Sequence, residues 1–307
     1  MNKIEVFCPA TVANISCGFD VLGLCLETTG DHMAFYEHSE PGVMILQNEG
    51  PMLPTDPYKN VAGIAALSLL KELNSKKGVV IEISKKIKPG SGIGSSAASA
   101  AGAAFGVNQL FGAPLSPKQL IPAAMQGEAL ASGVPHADNV APALLGGITL
   151  IRSYDPLEVL SLHTPKDLFA AVIHPQIELR TADARSVLKS QIPMEKAIRQ
   201  WGNLGALVAA LYTEDYALLG RSLHDEIVEP MRSPLIPGYD EAKQAAMESG
   251  ALGSGISGSG PSIFALCKGE ETAARAGTQM QNVYNRLGVA NEVHISPIAK
   301  QGTHLIK

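Results

Sequence analysis

A chain of 307 residues, 46% hydrophobic and 17% charged, can bury a sizeable core, is long enough for two domains, and is too apolar to be disordered. Its net charge of −5 argues against a nucleic-acid partner, which would need a basic face. Cys8, Cys17, Cys25 and Cys267 form no C-x-x-C pair and fit reduced thiols in a cytoplasmic protein; the N-terminal residues lack the apolar core of a signal peptide, and no apolar run reaches the length of a membrane span.

Residues 3–8 read as a strand, and the small-residue run Pro9-Ala-Thr-Val-Ala-Asn-Ile-Ser-Cys-Gly-Phe-Asp20 reads as a loop. Val21 to Leu26 is apolar, and Asp31 to Glu37 reads as another strand. Apolar residues recur at helical spacing from Asn60 to Leu73, whereas Val79, Ile81 and Ile83 alternate with polar Glu82 and Ser84 as in a strand. Then comes Pro89-Gly-Ser-Gly-Ile-Gly-Ser-Ser-Ala-Ala-Ser99, with Ser95 or Ser96 expected to cap a helix through Phe111. A helix over 117–131 should end near Gly133, and Gly146-Gly147 should turn into a strand. Two prolines and mixed polarity between Ser153 and Pro165 suggest a division into domains 1–157 and 158–307.

In the second part, Leu168 to Ile173 reads as a short strand, and Thr181 can cap a helix through Leu188. Residues 201–212, 216–227, 239–249 and 271–287 read as helices, and 263–267 and 293–298 as strands. Strands and helices mix without the regular alternation of a doubly wound fold, which favours a two-layer α+β architecture.

The segment 89–99 carries the chemistry. Gly90, Gly92 and Gly94 can take positive φ and let the backbone approach a ligand. A strand, a glycine loop and a helix start together make an anion site, and a loop this open suits a polyphosphate. It is not a Walker A loop, because no lysine lies between Gly90 and Ser99, and its G-x-G-x-G spacing is not the dinucleotide fingerprint. A plain turn before a tightly packed helix is the blander reading; the Ser95-Ser96 pair argues against it, since those hydroxyls can bind phosphate oxygens or a hydrated Mg2+. A second run, Gly250 to Ser262, gathers Gly253, Gly255, Gly258 and Gly260 just before a strand. A flexible linker would not lead at once into Ile263-Phe-Ala-Leu-Cys267, so a second backbone cradle fits better.

The Pro9–Asp20, Pro89–Ser99 and Gly253–Pro261 segments, in this order, resemble the GHMP kinase superfamily, and the likeness runs from Phe7 to about Ile298. It implies an N-terminal domain related to a ribosomal-protein fold with a left-handed βαβ unit, and a ferredoxin-like C-terminal domain. It implies ATP between them, held by Pro89, Gly90, Ser91, Gly92, Ile93, Gly94, Ser95, Ser96, Ala97, Ala98 and Ser99, with Asn60 near the adenine. Ser96 and Glu128 would hold Mg2+; without the resemblance, Glu128 would read as a solvated helix carboxylate. Asp138 or Asn139 would face the substrate hydroxyl. If Asp138 does, it can take the proton; if Asn139 does, the proton leaves to phosphate or solvent.

The implied acceptor is L-homoserine, a zwitterion with a primary hydroxyl. Arg185 and Arg232 match the family's substrate-binding arginines, and a planar guanidinium suits a carboxylate. Asn14, Asp20 and Asp138 could meet the ammonium, with His136, Thr181 and Gly258 completing the pocket. Two rivals remain: a kinase for a mevalonate-type alcohol, which gives no reason for an ammonium site, and a non-catalytic sensor, which could lose Ser96 or Glu128 without penalty. The family also leads one to expect a homodimer and no membrane or nucleic-acid partner.

Overall fold

The computed structural model describes residues 3–306, in two sheets with helices. In the first sheet, β1 (Lys3–Ala13) pairs antiparallel with the 17-residue β2 (Leu22–His38). The parallel pair β3 (Val43–Glu49) and β4 (Gly78–Ser84) is joined through helix α1 (Val61–Glu72), and β4 pairs antiparallel with the C-terminal part of β2. The start of β2 pairs with β5 (Ile148–Tyr154), which forms a hairpin with β6 (Leu157–Leu162). Helices α2 (Ser95–Leu110), α3 (Ile121–Ser132) and α4 (Val140–Leu145) share its core.

The second sheet contains β7 (Leu168–Pro175), β8 (Gly253–Ile256), β9 (Ile263–Lys268) and β10 (Asn291–Pro297) in the order β10-β7-β9-β8, all antiparallel. This is the strand order of a ferredoxin-like sheet. Four helices lie between β7 and the helix that leads into β8: α5 (Thr181–Ser186), α6 (Met194–Thr213), α7 (Tyr216–Ser222) and α8 (Glu229–Arg232). Helices α9 (Tyr239–Glu248) and α10 (Glu270–Arg286) pack on the sheet, and β11 (His304–Leu305) returns to β1.

This sheet is buried on both faces. Leu168, Ala170 and Val172 of β7, with Phe264 and Leu266 of β9, join the first core. Ala171, Ile173, Ile263, Ala265 and Cys267 join a second core under α9 and α10. Side chains of a strand alternate between faces, so a strand covered on both sides is apolar at every position. That is why these two strands read as unbroken apolar runs.

Several elements differ from the sequence reading. Pro9 to Ala13 continues β1 through a bulge rather than forming a loop, because Thr11, Val12 and Ala13 find partners in Cys25, Leu24 and Gly23. The apolar stretch over 21–26 and the strand expected over 31–37 are one strand, β2. Neither serine caps α2: its N-cap is Gly94, in the left-handed region, and Ser95 turns its hydroxyl to the Ile87 carbonyl (2.9 Å). Thr181 is the first residue of α5, after an Arg180 N-cap, and the helix expected over 216–227 stops at Ser222. Strands β3, β6, β8 and β11 and helices α4 and α8 had no expected counterpart; β8 takes up the first part of the expected 253–261 loop. The expected division at 157/158 falls at the first residue of β6, which pairs in the first sheet; sheet membership changes over 163–167, and β11 crosses back.

Helix α2 is buried along most of its length because its side chains are small. A Cβ on Gly102 would lie 2.2 Å from the Cys8 sulfur, and one on Gly106 2.2 Å from the Phe35 ring. Glycine at these positions lets the helix sit directly on β1 and β2 and brings its N-terminus under the glycine loop. Replacing Gly106 with Val should overpack this contact and cost about 1–3 kcal/mol, read as a lower urea midpoint with an unchanged m value.

Candidate active site

A cavity of about 330 Å3 is lined by residues from both parts of the chain, among them Asn14, Ser96, Glu128, Asp138, Arg185 and Arg232. Beside it sits a buried ion pair. Lys85 follows β4 and donates from Nζ to the Asp31 carboxylate, to the Ser95 carbonyl (2.7 Å) and to Ser99 Oγ (2.9 Å). The other Asp31 oxygen accepts the N–H groups of Lys86 (2.7 Å) and Ile87 (2.8 Å). Two desolvated charges are tolerable only when fully hydrogen-bonded, as these are. They tie β2, β4 and the first turn of α2 together.

The glycine loop crosses this anchor. Gly90, Gly92 and Gly94 have φ of 76°, 83° and 68°. A Cβ on Gly94 would lie 1.9 Å from Thr11 Oγ1, and one on Gly92 2.6 Å from the Gly260 carbonyl oxygen, while at Gly90 it would meet nothing. The second glycine loop is stitched to the first: Ser257 Oγ donates to the Gly92 carbonyl (2.7 Å) and Ser262 Oγ to that of Ser91 (2.6 Å). Pro89, Gly90, Gly92, Gly94, Ser95, Ser96 and Ser99 line the cavity. Ser91, Ile93, Ala97 and Ala98 do not; they are buried, or nearly so, in the packing beneath. First-turn N–H groups of an α-helix lack intrahelical acceptors, and with the positive helix end they suit an anion.

Glu128 is buried, and its carboxyl is pushed up to about 7, mainly by desolvation; the Ser96 hydroxyl opposes the shift and Asp138 adds to it. Its Oε2 has no hydrogen-bond partner. An orphaned carboxylate oxygen beside a serine hydroxyl fits a hard divalent cation such as Mg2+, which keeps waters and takes few protein ligands. Among the described residues no cluster of three or more acidic, histidine or cysteine side chains could hold a metal alone, so the other ligands would be water or substrate oxygens.

Asn60 lines the cavity, but its amide is used locally. Its Oδ1 accepts from Ala62 (2.9 Å) and Gly63 (3.2 Å) at the start of α1, and its Nδ2 donates to the Pro54 carbonyl (2.7 Å). Leu53, Pro54 and Val61 make an apolar wall around it.

Two arginines also line the cavity. Arg232 is buried, with Nε donating to the Ala184 carbonyl (2.9 Å) and Nη1 to that of Gly258 (3.1 Å). Burial lowers its pKa, and no carboxylate forms an ion pair with it among the described residues. Arg185 Nη2 lies 3.1 Å from both Asp20 oxygens and donates to His136 Nε2 (3.0 Å). A guanidinium can only donate, so His136 accepts there and is neutral at that nitrogen, in line with the burial that lowers its pKa. Both guanidinium groups lie over the Phe19 ring, at 5.7 and 5.0 Å.

Asn14 holds the turn over 14–20 to the second glycine loop: its Oδ1 accepts the Asp20 N–H (3.1 Å) and its Nδ2 donates to the Gly258 carbonyl (2.7 Å). Asn14, Ile15 and Ser16 all have positive φ, a strained conformation for non-glycine residues, above all for β-branched Ile15. Asp138 is buried and pushed up to about 7, by desolvation first and by Asp20 second. Asn139 Oδ1 accepts from Thr11 (2.7 Å). Both line the cavity, and Thr181 is there too, 3.3 Å from Ser259 Oγ.

Every expected substrate residue therefore lines one cavity. Sequence reasoning missed Lys85, Asp31, Phe19 and Tyr154, whose hydroxyl donates to the Asp20 carbonyl (3.0 Å) and accepts from Ala137 (3.3 Å). The one available signal was a lysine closing the apolar strand β4, which a surface position explains equally well.

The model for the GHMP kinases N terminal domain matches residues 60–147, and that for the GHMP kinases C terminal matches 207–286. A homoserine kinase from Chlorobaculum tepidum is 43% identical, with 100% of this chain and 99% of that one covered. The chain belongs to the homoserine kinases of the GHMP kinase family. The crystal structure of homoserine kinase from Cytophaga hutchinsonii superposes on this GHMP kinase with a TM-score of 0.96 at 48% identity, covering 100% of this chain and 98% of that one. The Methanococcus jannaschii mevalonate kinase, at 16% identity and a TM-score of 0.69 over 97% and 98% of the chains, shares the fold alone.

Two stability predictions test the site of this GHMP kinase. Lys85→Met leaves Asp31 buried without its cation and should cost about 3–5 kcal/mol in urea unfolding. Glu128 and Asp138 have folded pKa values near 7, above their ordinary 4.5 and 3.8, so the folded state keeps protons that the unfolded chain has lost. Their stabilising contribution is complete below the ordinary values and is lost as pH rises through 7. Urea midpoints of the ligand-free protein should fall across that window, and Glu128→Gln should flatten the fall.

Proposed function

We propose that the chain transfers the terminal phosphoryl group of ATP to the hydroxyl of L-homoserine, giving ADP and O-phospho-L-homoserine, a step toward threonine. The observation that carries this reading is Arg232, a buried cation with no carboxylate in ion-pair range among the described residues, in a cavity also lined by an open glycine loop at a helix N-terminus. Full-length identity of 43% to a homoserine kinase supports it.

Phosphoryl transfer needs chiefly positioning and electrostatics. Arg232 and Arg185 take the amino-acid carboxylate; the Asn14 and Asp20 loop, with Asp138, takes the ammonium. Pro89 to Ser99 holds the phosphates of ATP, most directly through the N–H groups at the start of α2. Mg2+, held by Ser96 and Glu128, would offset the charge of the β and γ phosphates. Asp138 takes the proton as the hydroxyl oxygen bonds to phosphorus and ADP leaves; with its carboxyl near 7 it is partly ionised at neutral pH, as a general base should be. Asn139 cannot accept a proton, and its Oδ1 is held by Thr11, so it positions rather than deprotonates. Asn60 contributes by shaping the wall near the base.

We further place the protein in the cytoplasm as a homodimer with small-molecule substrates and neither nucleic-acid nor membrane partners, and the boundary between its domains at 163–167. Among the described residues no helix is long and apolar enough to cross a membrane.

ADP release with Mg-ATP, measured against L-homoserine, mevalonate, shikimate and galactose, should show a strong preference for L-homoserine. Preference for another alcohol would overturn the substrate assignment, and tight ATP binding without turnover would favour a sensor. Arg232→Leu should raise the KM for L-homoserine about 30-fold or more while leaving that for ATP near normal. Loss of both affinities together would mark a structural role. Activity should fall below pH 7 as Asp138 and Glu128 protonate, and Asp138→Asn should lower kcat about 100-fold or more.

A further inference from the structure

Gln200 is buried in α6, at the spacing of Ala197, Leu207 and Leu211, while its neighbours Arg199 and Trp201 are exposed. An apolar side chain would suit that position, and a buried amide is tolerated where its polar atoms find partners. Gln200 finds them on two segments far apart in the chain. Its Nε2 donates to the Cys17 carbonyl (2.9 Å), in the turn over 14–20, and to Asp225 Oδ1 (3.1 Å). Its Oε1 accepts the Glu226 N–H (2.9 Å). The reversed amide would set oxygen against a carbonyl and a carboxylate, and nitrogen against an N–H, so the partners fix its orientation.

Asp225 is also buried and continues the link. Its Oδ1 accepts the N–H groups of Ile227 (2.9 Å) and Val228 (3.0 Å), and its Oδ2 that of Glu229 (2.9 Å). The four consecutive N–H groups of 226–229 thus end on the side chains of Gln200 and Asp225, at the start of the short helix that carries Arg232. Asn14, Asp20 and Arg232 line the cavity, whereas Gln200 and Asp225 do not. On the cavity side the same two segments meet again. The Gly258 carbonyl accepts from Asn14 Nδ2 and Arg232 Nη1, and the Phe19 ring lies under the Arg232 guanidinium.

We infer that Gln200 is a positioning residue: from behind the cavity it holds the turn over 14–20 and the segment 225–232 in a fixed relation, so that Asn14, Asp20 and Arg232 converge on one ligand. That this ligand is the alcohol substrate rests on the kinase reading; the link between the two segments does not. Neither Gln200 nor Asp225 is hydrogen-bonded to the glycine loop over 89–99, so the nucleotide end of the cavity is outside its reach.

Hydrogen exchange of the ligand-free wild type should show the amides of 226–229 protected, although they have no backbone acceptors. Gln200→Met keeps the length of the side chain and loses all three bonds. It should speed exchange about tenfold or more in both 226–229 and 14–20 and leave α2 unchanged. It should raise the KM for L-homoserine about tenfold while that for ATP stays within about twofold. A merely structural role would move both KM values together. Asp225→Asn, which keeps one acceptor oxygen, is the milder variant should Gln200→Met fail to fold; it should raise the same KM about threefold. Rapid wild-type exchange at 226–229, loosening confined to one of the two segments, an unchanged KM for L-homoserine, or an equal rise in both KM values would each overturn the inference. Failure of the kinase reading shows instead as a wild type that does not turn over L-homoserine, and the exchange measurements, made without substrate, still decide the link.

Discussion

The Lys85–Asp31 pair is the constraint on which the rest of the site depends. Removing two charges from water is costly, and well-packed apolar residues could often replace such a pair without loss of stability. They could not do what these two do. Asp31 brings from β2 an acceptor for the N–H groups of Lys86 and Ile87, and Lys85 brings from β4 a donor for the Ser95 carbonyl and Ser99 hydroxyl. The backbone leaving β4 and the backbone entering α2 are held against one buried centre, with the glycine loop between them. A loop with three left-handed residues has many alternative shapes when free, and clamping both ends removes most of them. The same clamp turns the Ser95 hydroxyl inward, so of the two adjacent serines it is Ser96 that stands beside Glu128.

The cavity is built from complementary deficits. Arg232 is a buried cation with no carboxylate in ion-pair range among the described residues, and Glu128 is a buried carboxyl whose Oε2 has no donor. Each is unfavourable in the empty protein, and each would be relieved by a ligand of the opposite charge. Stability is thereby surrendered at the site and recovered on binding. Both groups line the same cavity, so one set of ligands bound there can relieve both.

What was legible in the sequence follows from the range of the forces involved. The alternating glycines declared their loop because only local backbone geometry is at stake, and all three take positive φ. The unbroken runs of β7 and β9 declared strands because two-sided burial leaves every position apolar. Pro9 to Ala13 misled because small residues suggest a loop, whereas here they let β1 pass close beneath α2. Asn60 looked free to read a base, but a cap needs only its own neighbours, and that local use took the amide. Lys85 and Asp31 are 54 positions apart, and nothing within either strand reveals that they meet. Helix α6 was legible as a helix, but which of its apolar positions face solvent depends on what packs against it.

Burial lowers the pKa of Arg232, and repulsion from the neighbouring Arg185 adds to this against the pull of Asp20. Phe19 and Asp20 resolve this conflict unequally. The Phe19 ring offers its negative face to both guanidinium groups. The Asp20 carboxylate reaches Arg185 alone, with the Tyr154 hydroxyl holding the Asp20 carbonyl behind it. The Asp20 carboxylate therefore meets part of the Arg185 charge, whereas Arg232 has only backbone carbonyls as hydrogen-bond partners. The left-handed backbone at Asp20 is what turns its carboxylate toward Arg185, and Asn14 holds that turn by accepting the Asp20 N–H. The strained turn over 14–20 thus sets the two arginines apart, one beside a carboxylate and the other held by backbone carbonyls.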